Sequence, residues 1–156
     1  MLSLQRLVTI CALSLAAAIP LQSHASEAAQ TIIGKWRHVS MSRAFVGEAP
    51  VSLKADGRTS VEFSENGTWT LTSPARVSKG TYKWLDGQRL EQTVLTSGAA
   101  VQVGLVSVKE IRATATSLEI ITRETREEMD KFEPSKKNDP NRPHGVVITS
   151  VFARES

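Results

Sequence analysis

The chain of 156 residues contains one cysteine, Cys11, and it lies in a segment that we expect to be removed. The rest of the chain therefore has no thiol for a disulfide framework or a thiolate metal site. About 130 residues remain, enough for one domain with a real hydrophobic core. We expect that core, rather than covalent cross-links, to stabilise the domain.

Glycine-rich phosphate loops, an excess of one charge and long apolar runs are also missing. Without Arg6 the chain has 18 basic and 16 acidic residues. A net charge of +2 without a basic stripe argues against nucleic-acid binding. The longest apolar run, residues 7–19, has about 13 residues, whereas a membrane-spanning helix needs roughly 20.

The N-terminal segment has the three zones of a secretory signal. Arg6 supplies the positive charge, residues 7–19 form the apolar region, and Pro20 ends it. Small residues at Ser23 and Ala25 fit the positions that a signal peptidase reads. The sequence predicts cleavage after Ala25, which removes 1–25 and leaves a mature domain of 26–156. We expect a periplasmic or secreted protein with no transmembrane segment in the mature chain.

The mature chain alternates apolar and polar residues over short runs, which is typical of β-strands. Asn66-Gly67 is the dipeptide best suited to a two-residue hairpin. Such a meander predicts an all-β fold, an antiparallel up-and-down eight-stranded barrel. The eight predicted strands are 33–42, 59–63, 68–72, 80–84, 89–95, 101–111, 118–123 and 146–153.

The two longest connections in this meander are 43–58 and 124–145. Connections that long in a compact domain are usually functional or mobile. Both are odd-numbered connections of an up-and-down barrel, so they share one end, whereas tight turns close the other end. The sequence therefore predicts a closed end and an open mouth.

Three features of the sequence resemble the lipocalins and bacterial lipocalin-like domains. Gly34 and Trp36 form a Gly-x-Trp signature in the first predicted strand, and Arg154 ends the last strand. The segments 63–69 and 80–84 also resemble these small exported proteins. The resemblance implies a lipocalin-like barrel in which Arg154 packs over Trp36, a cation–π contact worth about 0.5–2 kcal/mol.

The sequence also departs from the lipocalin pattern. The second lipocalin motif, a Thr-Asp-Tyr type of run, is not evident in 109–118. No disulfide and no C-terminal helix are indicated. These departures leave two interiors open, a ligand cup or a barrel filled with side chains. The same residues serve both alternatives, as a ligand wall or as core: Phe63, Trp69, Leu71, Tyr82 and Trp84.

No residue pattern indicates catalysis, a metal site or a cofactor. His38 and His144, the two histidines of the mature chain, have no partner at ligand spacing. The carboxylates between Glu127 and Glu133 fit a solvated charged loop better than a shielded acid–base pair. We expect a protein that is not an enzyme.

Two functions fit these observations. The leading hypothesis is an exported lipocalin-like protein that binds a small hydrophobic or amphiphilic ligand at the open end of the barrel. The alternative is a protein-interaction module, an inhibitor or envelope accessory protein, that acts through 43–58 and 124–145. A continuous apolar cavity would favour the first hypothesis, and a filled interior would favour the second.

Overall fold

A computed structural model describes residues 29–55 and 57–156, so the predicted signal segment lies outside the described residues. A helical turn over residues 29–32 leads into an antiparallel β-structure. Its nine strands are β1 (Gly34–Phe45), β2 (Val51–Lys54), β3 (Ser60–Phe63), β4 (Thr68–Thr72), β5 (Val77–Trp84), β6 (Arg89–Ser97), β7 (Val106–Ala113), β8 (Ser117–Thr125) and β9 (Gly145–Arg154).

Eight of these strands close into a barrel, which confirms the predicted fold class. Each of β3 to β9 pairs antiparallel with the strand before it in the barrel, and β9 pairs back onto β1. The closing pair runs from Trp36 opposite Arg154 to Phe45 opposite Val146. The short strand β2 is additional: it pairs with the half of β1 that β3 leaves free.

The two ends of the barrel differ as the connection lengths predict. Phe45 and Val146 are neighbours, and the amide of Val46 donates to the carbonyl of Gly145 at 3.0 Å. The connections that follow β1 and β8 therefore lie at the same end, which we call the mouth. At the opposite end, which we call the closed end, short turns join β3 to β4, β5 to β6 and β7 to β8.

The hydrophobic core fills the closed half of the barrel. Its fully buried side chains come from the helical turn and four strands: Ile32, Trp36, Phe63, Leu90 and Leu118. Aromatic and branched side chains suit these positions because they pack well against cross-strand neighbours. The ring of Tyr82 meets the ring of Phe63 edge-on, with centroids 5.3 Å apart.

The mouth contains helical structure that the sequence analysis did not predict. The connection between β8 and β9 forms α1 (Arg126–Phe132) and a 3-10 turn, Pro134–Lys136. A second 3-10 turn, Ala100–Gln102, lies where the sixth predicted strand was expected to begin, and β7 starts only at Val106. Gly104, with a φ of +84°, reverses the chain between them. None of the helices in the described part of the chain is long and apolar enough to cross a membrane.

Candidate functional site

The closed end is plugged by the contact that the sequence led us to expect. The guanidinium carbon of Arg154 lies 4.2 Å from the centre of the Trp36 ring. Arg154 also donates to the backbone carbonyls of Ile33 at 2.9 Å, Ala115 at 2.7 Å and Thr31 at 2.5 Å. The indole Nε1 of Trp36 donates to the Ile32 carbonyl at 2.7 Å. This plug ties the N-terminal turn to β1 and β9 at the closed end.

The mouth half of the barrel holds a cavity of about 210 Å³. That volume equals roughly seven water molecules at liquid density. One part of its wall is apolar and consists of Val61, Trp69, Leu71, Val94, Ile120 and Phe152. At the mouth, Phe132 of α1 and Gln102 of the 3-10 turn line it. The cavity can therefore accept a compact molecule of about seven or eight non-hydrogen atoms.

A second cavity of about 530 Å³ lies beside the first, between α1 and the mouth ends of β1 and β9. Both cavities are lined by Gln102, Glu124 and Phe132. A change in any of these three side chains would therefore alter the shape of both cavities.

The structure divides the predicted aromatic wall into two groups. Trp69 and Leu71 line the inner cavity. Phe63 is buried in the core, and the hydroxyl of Tyr82 donates to the Ser64 carbonyl at 2.9 Å. Tyr82 and Trp84 line a separate groove at the closed end, next to the helical turn. Of the five predicted wall residues, two therefore line the inner cavity, and the other three lie nearer the closed end.

Gly80 fixes the position of Trp69 in the cavity wall. The two residues are paired across β4 and β5. A Cβ atom at position 80 would lie 1.8 Å from the Thr93 carbonyl oxygen and 2.9 Å from the Trp69 Nε1. The indole Nε1 donates instead to the Thr81 carbonyl at 3.1 Å. Only glycine allows the backbone of β6 and this indole to approach so closely.

The rest of the lining of the inner cavity is polar apart from Leu105, and it was not predicted from the sequence. Its polar side chains are Arg76, Ser78, Gln92, Ser107, Lys109 and Glu124. The Lys109 ammonium donates to the Thr122 hydroxyl at 3.0 Å. Across β6 and β7, Gln92 lies opposite Ser107. Among the described residues, the side chains of Gln92 and Ser107 have no hydrogen-bond partner.

Burial shifts Lys109 and Glu124 toward their neutral forms. Desolvation lowers the pKa of Lys109 to about 8, and the nearby carboxylates of Glu124 and Glu128 oppose that shift. Desolvation likewise raises the pKa of Glu124, against the attraction of Lys109. A lysine that is costly to keep charged, at the wall of a cavity, is typical of a functional position.

The lowered pKa of Lys109 predicts that the protein gains stability as pH rises. Between the folded value of about 8 and the ordinary value of 10.5, the unfolded chain holds the proton more tightly than the folded chain. Stability therefore increases with pH in this window. We expect the free energy of unfolding to rise by about 2 kcal/mol between pH 7.5 and 9.5. Urea denaturation at both pH values measures this change in the free energy of unfolding.

The control for this pH dependence is Lys109→Met, which removes the titrating group and keeps an apolar stem. The variant should lose the rise between pH 7.5 and 9.5. It should also be more stable than the original protein at pH 7.5, because a buried charge without an ion-pair partner has been replaced by an apolar group. An equal rise in both proteins would show that another group titrates.

Residues 126–144, which we call the lid, lie next to both cavities and are held in place by a buried arginine. Arg142 is 6% exposed, and its guanidinium donates to the carbonyls of Met129 at 2.6 Å and Glu133 at 3.3 Å. Its Nε lies 3.1 Å from an Asp130 carboxylate oxygen, an ion pair outside hydrogen-bond geometry. The carboxylates between Glu127 and Glu133 predict a solvated charged loop here, which is wrong, because the structure has a short helix folded over an arginine.

The start of α1 carries a signal that could have identified the helix. Thr125 and Glu128 form a reciprocal capping box, in which each side chain accepts from the backbone amide of the other. This Thr-x-x-Glu spacing is a sequence signature of a helix N-terminus. Met129 and Phe132 follow at a spacing of three, so they lie on one face of the helix and both reach the wider cavity.

The histidines have structural surroundings. His38 packs against Phe152, with ring centroids 5.1 Å apart. The backbone carbonyl of His144 accepts from the Arg126 amide at 3.0 Å. Within the described ranges, no group of three or more histidine, cysteine or acidic residues is arranged to hold a metal ion.

Comparisons with known proteins assign no family. No model of a known protein family matches this chain, and a search of curated proteins gives no match either. The site is therefore interpreted from its own geometry.

Proposed function

We propose that this protein is an exported, non-catalytic, lipocalin-like carrier that binds one small amphiphilic molecule in the mouth half of its barrel. The supporting observation is the inner cavity, whose lining combines apolar and polar side chains. Pockets that bind small molecules combine a mostly apolar lining with a few polar groups in this way. The predicted signal segment and the lipocalin-like signature at Trp36 and Arg154 support export and the family resemblance.

The size of the cavity restricts the ligand. A volume of about 210 Å³ is below the usual range for drug-sized molecules, roughly 300–1,000 Å³. A long-chain fatty acid would need Phe132 to move and the two cavities to merge. We therefore propose a ligand with a short apolar part rather than a long acyl chain.

Narrowing the cavity tests this function. Val94→Phe places a larger side chain in the inner cavity, whereas Val108→Phe, its matched control, enlarges an outward side chain that is 45% exposed. The probe is 1-hexanol, and isothermal titration calorimetry measures its dissociation constant. We expect Val94→Phe to weaken hexanol binding at least about tenfold, which corresponds to about 1.4 kcal/mol, because the larger side chain occupies the space that the ligand needs. Val108→Phe should bind hexanol like the original protein. Equal binding by both variants would place the ligand elsewhere.

The interaction-module alternative is supported by a different surface. Three apolar side chains in the first long connection are exposed, Val46 by 65%, Val51 by 55% and Leu53 by 40%. Val51 and Leu53 belong to β2, which pairs with β1 along one edge. Native mass spectrometry of protein purified from its own cell separates the two functions. A retained small molecule favours the carrier, and a retained protein favours the module.

A further inference from the structure

The polar wall of the inner cavity carries more hydrogen-bond donors than the fold uses. An ammonium group has three donors, and the hydrogen bond to Thr122 occupies one of those on Lys109. Among the residues that the structure describes, no carboxylate forms an ion pair with this ammonium. The donors of Gln92 and Ser107 are free as well. All three side chains line the same cavity.

Their positions in the sheet bring these donors together. Lys109 and Ser107 are two residues apart on β7, so they face the same side of the strand. Gln92 of β6 is the partner of Ser107, and Thr122 of β8 is the partner of Lys109. Neighbouring strands lie about 4.8 Å apart. The four side chains therefore form one patch, which we call the donor patch.

The side chains that line the inner cavity include more cations than carboxylates, although a further carboxylate, that of Glu128, lies close enough to Lys109 to act on its pKa. Two cations, Lys109 and Arg76, line the inner cavity together with one carboxylate, that of Glu124. Glu124 lies on the mouth side of the cavity, at the end of β8 next to α1. Lys109 lies deeper in the barrel, on β7. A negatively charged group that enters the cavity would reach a cation with unused donors, and burial strengthens that attraction.

We propose that the donor patch binds the carboxylate of a small organic acid, with Lys109 as its ion-pair partner and Gln92 and Ser107 as hydrogen-bond donors. The apolar part of the acid then lies against Trp69, Leu71 and Val94. This inference rests on the proposed function, because it names the chemical class of the molecule that the cavity accepts. Glu124 opposes an acid and limits its affinity.

Three probes of equal chain length test the assignment by calorimetry at pH 7: hexanoate, 1-hexanol and hexylamine. We expect hexanoate to bind the original protein about tenfold or more tightly than hexanol, since a hydrogen bond to a charged group is stronger than one to a neutral hydroxyl. Hexylamine should bind more weakly than hexanol. Tighter binding of hexylamine than of hexanoate would overturn the proposal and assign the polar end of the ligand to Glu124.

Variants of the two charged groups should act in opposite directions. Lys109→Met should remove the preference for hexanoate over hexanol, whereas Glu124→Gln should strengthen hexanoate binding by several-fold. Lys79→Met is the matched control, because Lys79 is exposed on the outer face of β5. It should bind all probes like the original protein.

The outcomes separate this proposal from the proposed function. If hexanol and hexanoate bind equally, and Lys109→Met changes neither affinity, the acid assignment is wrong and the carrier function stands. If no probe binds to the original protein, both are wrong. Loss of binding for hexanol as well as hexanoate in Lys109→Met would mean that the lysine shapes the cavity rather than recognising a carboxylate.

Discussion

We expect Trp36→Ala to lower the free energy of unfolding by about 4 kcal/mol, the usual cost of deleting a buried indole. Trp36 is completely buried, and its Nε1 donates to the Ile32 carbonyl at 2.7 Å. Its loss would also leave the guanidinium of Arg154 without the ring it packs over. Urea denaturation followed by circular dichroism measures the change.

Substitutions of Arg154 separate the aromatic contact from the packing of the indole. Arg154→Lys keeps the charge but cannot reach three carbonyls with one planar group, so we expect a loss of about 1–2 kcal/mol. Combining Trp36→Ala with Arg154→Ala should give a coupling energy of about 1 kcal/mol. Lys35→Ala, an exposed neighbour on β1, is the control and should change stability little. If Trp36→Ala behaved like Lys35→Ala, the plug would not stabilise the barrel.

The barrel could be predicted from sequence because its strongest signals are local. Alternating residues predict strands, and Asn66-Gly67 predicts the hairpin between β3 and β4, where the φ of Gly67 is +78°. Strand order followed from the meander of predicted strands joined by tight turns. The β2 strand was missed because its four residues are all exposed, so no buried face produces a pattern of alternating hydrophobicity.

The late start of β7 was missed because tertiary context overrides propensity there. The valines at 101 and 103 favour a strand, but residues 100–102 form a 3-10 turn. The amide of Gly104 donates to the Val94 carbonyl, so this segment folds back onto β6. The helix α1 has only seven residues, too few for a helical periodicity of apolar residues to be recognised in the sequence.

The polar wall of the cavity was not predicted because, in part of β7, the apolar side chains face outward and the polar side chains face the interior. Val106 and Val108 face outward and are 56% and 45% exposed, whereas Ser107 and Lys109 face the interior. An interpretation based on hydrophobicity assigns the valines to the core. The deeper residue Ile111 has the same orientation as Lys109 and is buried. The inversion is therefore confined to the mouth half, where the cavity lies.

This inversion itself supports a binding role for the mouth half. Placing Lys109 inside a barrel costs stability, as its lowered pKa shows. Natural sequences violate their local patterns mainly at functional positions. In the closed half, apolar side chains face the interior and form the core that stabilises the barrel. In the mouth half, polar side chains face the interior and line the cavity.

The second large effect concerns the lid. We expect Arg142→Ala to lower the free energy of opening of residues 126–144 by about 3 kcal/mol, because Asp130 is left buried without its ion-pair partner. The Asp130 side chain is 15% exposed, and the carbonyls of Met129 and Glu133 lose their donor. Amide hydrogen exchange should accelerate in 126–144 and stay slow in β1 and β9.

Two companion variants define the cause of this opening. Adding Asp130→Asn to Arg142→Ala should recover part of the lost protection against amide hydrogen exchange, since the second substitution removes the unpaired charge of Asp130. Lys131→Ala, on the same helix, breaks an exposed pair with Glu127 and should change exchange by less than about 0.5 kcal/mol. Because Phe132 leaves the cavity when the lid opens, Arg142→Ala should also release hexanol faster. Equal acceleration of exchange in the lid and in the strands would instead mean that Arg142 stabilises the whole barrel, and that α1 does not open as a separate unit.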